Sequence, residues 1–234
     1  MKPKSTVLQK FENNLTASPK LDSMTTFFKS LISLTPVGSA FSVLFSDLIP
    51  TTRTLRTEKF IKDLASDFKQ FDERIDTEYI KTEEFAFLFE QCFKAANENY
   101  QQEKIEAFKA IIVNSTMYDS IHPNEKEFYL NLTKNLTVLH IHVLDFLNDT
   151  HAYIKSHHLL ESQIQGRYKD FLPIIFPTVE FDTIKIIIDD LNNYGLTSLQ
   201  TQSILSVTSS SGMQLLGDRH TTDYGKKYLQ FIRL

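Results

Sequence analysis

From Thr52 onward, apolar side chains recur at Phe60, Leu64, Phe68, Phe71 and Ile75, in steps of four, four, three and four. This rhythm predicts one long helix with a single apolar stripe, its other faces carrying Lys, Asp and Glu. Shorter stretches of the same period follow. Thr82 stands as an N-cap before Phe85, Leu88, Phe89, Cys92, Phe93 and Ala96, and Ile105, Phe108, Ile111, Ile112 and Val113 mark the next helix. His122-Pro123 opens another through Phe128 and Leu132, and Thr137 starts one with Val138, Ile141, Leu144 and Leu147. Upstream, Ser5 caps a short helix to Leu15, a second fits Lys20 to Leu34, and Thr35-Pro36 starts a third that stops before Pro50. Short connections between the segments predict an antiparallel helical bundle over residues 1–136.

The last third has a different rhythm. A helical stretch spans Tyr153 to Tyr168, and Pro173 and Pro177 frame an apolar loop. Asp182 is expected to cap the helix TIKIIIDDLNNY, which Gly195 ends in the position where a helix C-terminus favours glycine. Ser203–Thr208 and Met213–Leu216 alternate like short strands around the turn Ser209-Ser210-Ser211-Gly212. Thr221 or Thr222 then caps a closing helix with Tyr224, Tyr228, Leu229, Phe231 and Ile232. Helix, Gly-Leu, two-stranded wing, helix is the order that ends a winged-helix domain. Residues 137–234 are expected to form such a unit, with the helix starting at Thr137 as its first. The fold class is therefore mainly α: an N-terminal helical bundle followed by a C-terminal winged-helix-like unit with a short wing.

One window departs from amphipathic patterning. Ser30 to Ser46 carries no charge between Lys29 and Asp47. Leu31, Ile32, Leu34, Val37, Phe41, Val43, Leu44 and Phe45 favour membrane insertion by roughly 2 to 5 kcal/mol. Six Ser or Thr side chains, Pro36 and Gly38 oppose it, and the window falls short of the usual span of about 20 residues. Small residues at Val37-Gly38-Ser39-Ala40 let two helices approach closely. Residues 27–49 are thus expected to form an apolar hairpin for contact with a partner, with a second copy or with a membrane. The contact residues are Leu31, Leu34, Val37, Phe41, Val43, Leu44 and Phe45.

Composition narrows the possible functions. At 41% hydrophobic and 12% aromatic, with 19 Phe and no Trp, the chain is built to pack phenyl rings in a core. A net charge of −4 argues against broad nucleic-acid binding. In a winged-helix mode the helix before the wing would enter the major groove, with Lys185, Arg219, Lys226 and Lys227 on phosphates. Asp182, Asp189 and Asp190 surround Lys185, however, and no basic residue falls between Ser203 and Leu216. DNA contact is therefore the alternative reading.

No phosphate loop, GxGxxG, GxSxG or HExxH pattern occurs, so no catalytic, cofactor or metal site is expected. Cys92, the one cysteine, falls on the apolar stripe of its helix and reads as core. His140 and His142 are two apart and point to different faces of a helix, and the adjacent His157-His158 has the same difficulty. MKPKSTVLQKFENNLTASPK lacks an apolar signal core, which points to the cytoplasm, with peripheral contact to the inner membrane through residues 27–49.

The runs EKIEAFKAIIVNS (Glu103–Ser115), FYLNLTKNLTVLHIHVLDFL (Phe128–Leu147), NNYGL (Asn192–Leu196) and TTDYGKKYLQFI (Thr221–Ile232) carry a resemblance. Over about residues 105–234 the chain resembles the bacterial abortive-infection alpha family and related helical proteins of mobile genetic elements. The resemblance implies a terminal winged-helix-like unit and a role in bacterial self-protection or conflict with phage. It transfers no active residue. Together these readings give a non-enzymatic interaction protein, with a DNA-binding regulator and a membrane-permeabilising effector as alternatives.

Overall fold

The computed structural model describes residues 51–117, 121–160, 168–199 and 220–234. The expected helices before Thr51, the apolar hairpin 27–49 and the wing segments 203–208 and 213–216 lie outside the described residues. The protein is mainly helical, and no strand forms among the described residues. The chain divides into two compact units. One takes the described residues up to Lys134 together with Ile232–Leu234; the other takes those of Asn135–Phe231.

In the first unit, α1 (Thr51–Gln70) buries Phe60, Ile61, Leu64 and Phe68, as the stripe predicts. It stops five residues before the stripe's last member, Ile75, which corrects the single-helix expectation. Asp72 and Glu73 are the reason: two carboxylates in a further turn would face the negative end of the helix dipole. They sit instead in a short 3-10 turn, Asp72–Arg74. Ile75 reaches the core by another route, an isolated antiparallel bridge to Met117. Asp76 Oδ1 then accepts from the amides of Glu78 (2.9 Å) and Tyr79 (3.1 Å), an Asx turn that starts the 3-10 turn Tyr79–Lys81.

Thr82 caps α2 (Glu83–Glu98), its hydroxyl accepting from the Phe85 amide at 3.2 Å. The apolar face of α2 buries Phe85, Leu88, Phe89 and Cys92, while Phe93 stacks on Phe89 at 5.9 Å and meets Phe60 edge-on at 5.9 Å. α3 (Gln102–Ser115) is the central helix, packed against both α2 and α1 and buried around most of its girth. α4 (Pro123–Asn135) completes the set and buries Tyr129, Leu130 and Leu132.

In the second unit, Thr137 caps α5 (Val138–Asn148) through a reciprocal capping box in which His140 takes the place usually held by Glu. Asp149 caps α6 (Thr150–Ser156), accepting from the Ala152 amide at 2.9 Å. The expected helical run from Tyr153 therefore breaks at His157-His158. α7 (Tyr168–Ile175) contains Pro173, which corrects the expected apolar loop. Proline is tolerated there because its missing N–H would have bonded the carbonyl of Lys169, an exposed residue in the first turn. α8 (Phe181–Asn193) starts one residue before Asp182, so Asp182 is not its cap; Glu180 holds that position without a side-chain bond. Asp182 acts in the first turn, where its charge meets the positive end of the dipole. α8 packs mainly on α5. Thr222 caps α9 (Asp223–Phe231), its Oγ1 accepting from the Gly225 amide at 3.0 Å.

α6 and α8 end alike. Leu196 N–H donates to Leu191 C=O at 2.9 Å and Gly195 N–H to Asn192 C=O at 2.8 Å; Leu159 N–H donates to Ile154 C=O at 3.0 Å and His158 N–H to Lys155 C=O at 3.3 Å. Both are Schellman ends, which need a left-handed residue. Gly195 supplies it at φ +70, but at α6 the position falls on His158 at φ +54. A side chain there costs about 1 kcal/mol. His158→Gly is accordingly expected to stabilise the protein by about 0.5–1 kcal/mol, raising Tm by roughly 1–4 °C for a chain of this size. An unchanged or lower Tm in calorimetry would show that the His158 side chain offsets its strain.

Candidate functional site

The residues singled out from the sequence are distributed as follows. All seven apolar hairpin residues and Arg219 lie outside the described residues. Lys185 sits half-buried on α8, Lys226 half-buried on α9, and Lys227 exposed on α9, all within the second unit. Among the described residues no ion pair holds any of the three, and nothing joins Lys185 to the pair on α9.

The two strands of the expected wing lie outside the described residues, but the residues on either side, up to Leu199 and from His220, are described. Thr197 and Thr221 form an antiparallel bridge. Ser198 N–H donates to His220 C=O at 3.0 Å and Thr222 N–H to Leu196 C=O at 3.1 Å. Thr222 Oγ1 donates to Gly195 C=O at 2.6 Å, and Thr221 Oγ1 to Asn148 Oδ1 at 2.9 Å. Asn192 ties the outgoing segment to the end of α8, accepting from Thr197 Oγ1 at 2.6 Å and donating to Leu199 C=O. Five short polar side chains, those of Asn148, Asn192, Thr197, Thr221 and Thr222, thus reinforce the backbone bonds between these segments. Threonine and asparagine suit this role because their short side chains reach neighbouring backbone, as Asn192 and Thr222 do, or one another, as Thr197 with Asn192 and Thr221 with Asn148 do.

The first unit holds an arrangement that sequence periodicity does not reveal: three buried lysines. Lys104 Nζ donates to Lys134 C=O at 3.1 Å, and Lys126 Nζ donates to Ser115 C=O at 3.1 Å. Both carbonyls lie in last helical turns, which lack intrahelical donors. α3 and α4 therefore run antiparallel, and each sends a lysine from its first turn to the C-terminus of the other. A cation there also meets the negative end of a dipole. Lys126 sits 3.8 Å above the Tyr79 ring, and Tyr79 donates to Glu84 at 2.6 Å. Burial lowers both ammonium groups from their ordinary value, with Glu84 and Asp76 offsetting part of the effect at Lys126. Burial first, then Glu84, pushes the Tyr79 phenol up.

Lys109 is the hub of a separate network between α1 and α3. Its Nζ lies 2.9 Å from Asp67 Oδ2 and 2.7 Å from Glu106 Oε2, and Lys59 bridges Asp63 at 3.2 Å and Glu106 at 3.9 Å. Arg56, Gln102 and Ile105 border the same narrow cleft, whose enclosed space of about 20 Å³ is room for a single water. Lys59 and Lys109 are each paired with carboxylates there, and Arg56 donates to the Asn99 carbonyl at 2.8 Å. Cys92 is fully buried, and burial pushes its thiol up and away from the thiolate form a nucleophile needs.

Histidines that look unrelated along the chain meet in the second unit. The turn from α5 to α6 brings the His142 ring to 6.5 Å from that of His157, edge to face. His157 stacks on Tyr153 at 3.9 Å. Burial, then the charge of Asp145, pushes the Tyr153 phenol up to about 12. His140 is engaged elsewhere, between Thr137 and Asp190 Oδ2, the latter at 3.4 Å. Among the described residues no three His, Cys, Asp or Glu side chains gather as a metal-binding group. No helix among them is long and apolar enough to cross a membrane. No protein-family model, no curated protein and no solved structure matches the chain.

Proposed function

We propose that the protein is a non-enzymatic interaction protein that docks on a partner, a second copy or a membrane through the apolar window Ser30–Ser46. The observation that carries this reading is the window itself: an uncharged run rich in Leu, Val and Phe in a chain that is 23% charged overall. It is supported by what the buried ionisable groups of the first unit do. Lys104 and Lys126 cap helix ends and Lys109 joins two carboxylates, so each has a structural task. A cytoplasmic place, with peripheral contact to the inner membrane, and a role in bacterial defence or a mobile element belong to the same proposal. The helix order α5, α8, α9 with the Thr197–Thr221 bridge supports a winged-helix-like second unit.

The test is flotation of the full chain with anionic and neutral liposomes, with dye release and light scattering on the same samples. The expected result is binding or self-association that Val43→Asp abolishes while helical content is unchanged. Wild-type protein that neither floats nor associates overturns docking on a membrane or a second copy, and a Val43→Asp protein that binds or associates identically overturns the role of the window.

The DNA-binding reading has one observation in its favour. α8 precedes the bridge, as a recognition helix would, and offers Lys185. Its acidic residues Asp182, Asp189 and Asp190 oppose phosphate. A salt-sensitive duplex shift, lost when Lys185, Arg219, Lys226 and Lys227 are reversed to Glu, would favour it.

A further inference from the structure

His157 is held in a way that a packing role alone does not require. Its Nδ1 lies 2.9 Å from the Tyr153 carbonyl oxygen and 3.0 Å from Ser156 Oγ. A carbonyl accepts and cannot donate, so Nδ1 carries the proton. The lone pair of the neutral ring then resides on Nε2. The Tyr153 stack, with an interplanar angle of 14°, fixes the ring plane as well. A histidine whose other nitrogen donates to a backbone carbonyl, with tautomer and orientation both set, has the support that metal-ligating histidines receive. His157 is an exposed residue, and among the described residues no hydrogen bond is seen at its Nε2.

The surroundings favour a cation. His157 ends α6, at the negative end of the helix dipole. Asp145 projects from α5 one turn beyond His142 and acts on Tyr153. His142 itself needs to offer one of its two nitrogens. An ion bound about 2.1 Å from one nitrogen of each ring requires the rings, now 6.5 Å apart, to approach by about 1 Å. The half-buried His142 side chain is the one that must move, since His157 is held by its stack on Tyr153.

We propose that His142 and His157 form a two-imidazole site for a borderline divalent transition ion such as zinc or nickel. Water completes the coordination, with Asp145 as the outer carboxylate. The ion would pin α5 to the end of α6 at the His157-His158 corner. Imidazole nitrogens select such ions over calcium or magnesium, which prefer oxygen.

The experiment is calorimetric titration of the full chain with zinc chloride and, separately, nickel chloride and magnesium chloride, at neutral pH. One saturating zinc or nickel site is expected, with no magnesium binding. His157→Gln should weaken it about tenfold or more and His142→Gln similarly, while His122→Gln, in the first unit, leaves it unchanged. Ring proton signals of His142 and His157 should shift together in the wild type on adding zinc. Because His157 is exposed, His157→Gln tests the site even if His142→Gln fails to fold. An absence of saturable binding, or an isotherm unaltered by His157→Gln, overturns the proposal.

Discussion

Gly225→Ala is expected to destabilise the second unit by about 3 kcal/mol, at the upper end of what overpacking costs. A Cβ at Gly225 would stand 2.1 Å from the Leu196 carbonyl oxygen and 2.9 Å from its carbonyl carbon. The obstacle is backbone, and it has no room to retreat. Leu196 C=O already accepts from Thr222 N–H, and Thr222 Oγ1 binds the neighbouring Gly195 carbonyl, so α9 and the end of α8 are fixed against each other on both sides. Relief would come from lifting the first turn of α9 away, which breaks those bonds and exposes Tyr228 and Leu229, now buried. Hydrogen exchange offers a local reading. The amides of Leu196, Ser198 and Thr222 should lose protection in Gly225→Ala, while those of α3 keep it. A variant within about 0.5 kcal/mol of wild type in urea denaturation would mean that the contact at Leu196 is looser than described.

Much of the helical framework is legible in the sequence because capping and amphipathic period are local. Thr82 and Thr137 each bond an amide three residues on, and the stripe Phe60, Leu64, Phe68 needs only the helix it lies on. The misreadings arise where a local signal meets a longer-range one. Ile75 keeps the stripe's spacing but is buried by pairing with Met117, forty-two positions away, which no period can show. Asp182 and Pro173 carry correct propensities, yet each is displaced by a residue or two from where propensity alone would put it: inside the first turn of α8 and inside α7. Charged residues at buried positions are the harder case. Lys109 sits between Phe108 and Ala110 in the densest apolar run of the chain, and that placement was the available sign that it is not on a solvated face. Lys104 and Lys126 give less warning, since their partners are carbonyls at the ends of other helices. His142 and His157 are fifteen positions apart and meet because Asp149 turns the chain between α5 and α6.

Lys109→Met is expected to cost about 3 kcal/mol or more, because it leaves the Asp67 carboxylate buried without its cation. The side chains of Lys109 and Asp67 are 11% and 17% exposed, so water replaces the lost ammonium only in part. Methionine fills the volume of the lysine stem, which separates loss of charge from loss of packing. Adding Asp67→Asn should recover part of the loss, since the pair then lacks both charges, and a double-mutant cycle would isolate the coupling. The pH dependence follows from the same geometry. Burial acts to lower Lys109, but its bonds to Glu106 and Asp67 prevail and hold the ammonium above its ordinary value of 10.5. Its contribution is therefore fully present below that value and is lost as pH rises through the folded one. Glu106 has the opposite sense: burial would raise it, yet Lys109, Gln102 and Lys59 together hold it below 4.5. Its contribution is present above that value and is lost as pH falls through the folded one. Wild-type stability should accordingly hold a plateau between these limits and fall on both sides, with both limbs shallower in Lys109→Met. Limbs of equal steepness in the variant would assign the pH dependence to groups outside this network, and a loss below about 1 kcal/mol at neutral pH would mean that Lys59 replaces Lys109 beside the carboxylates.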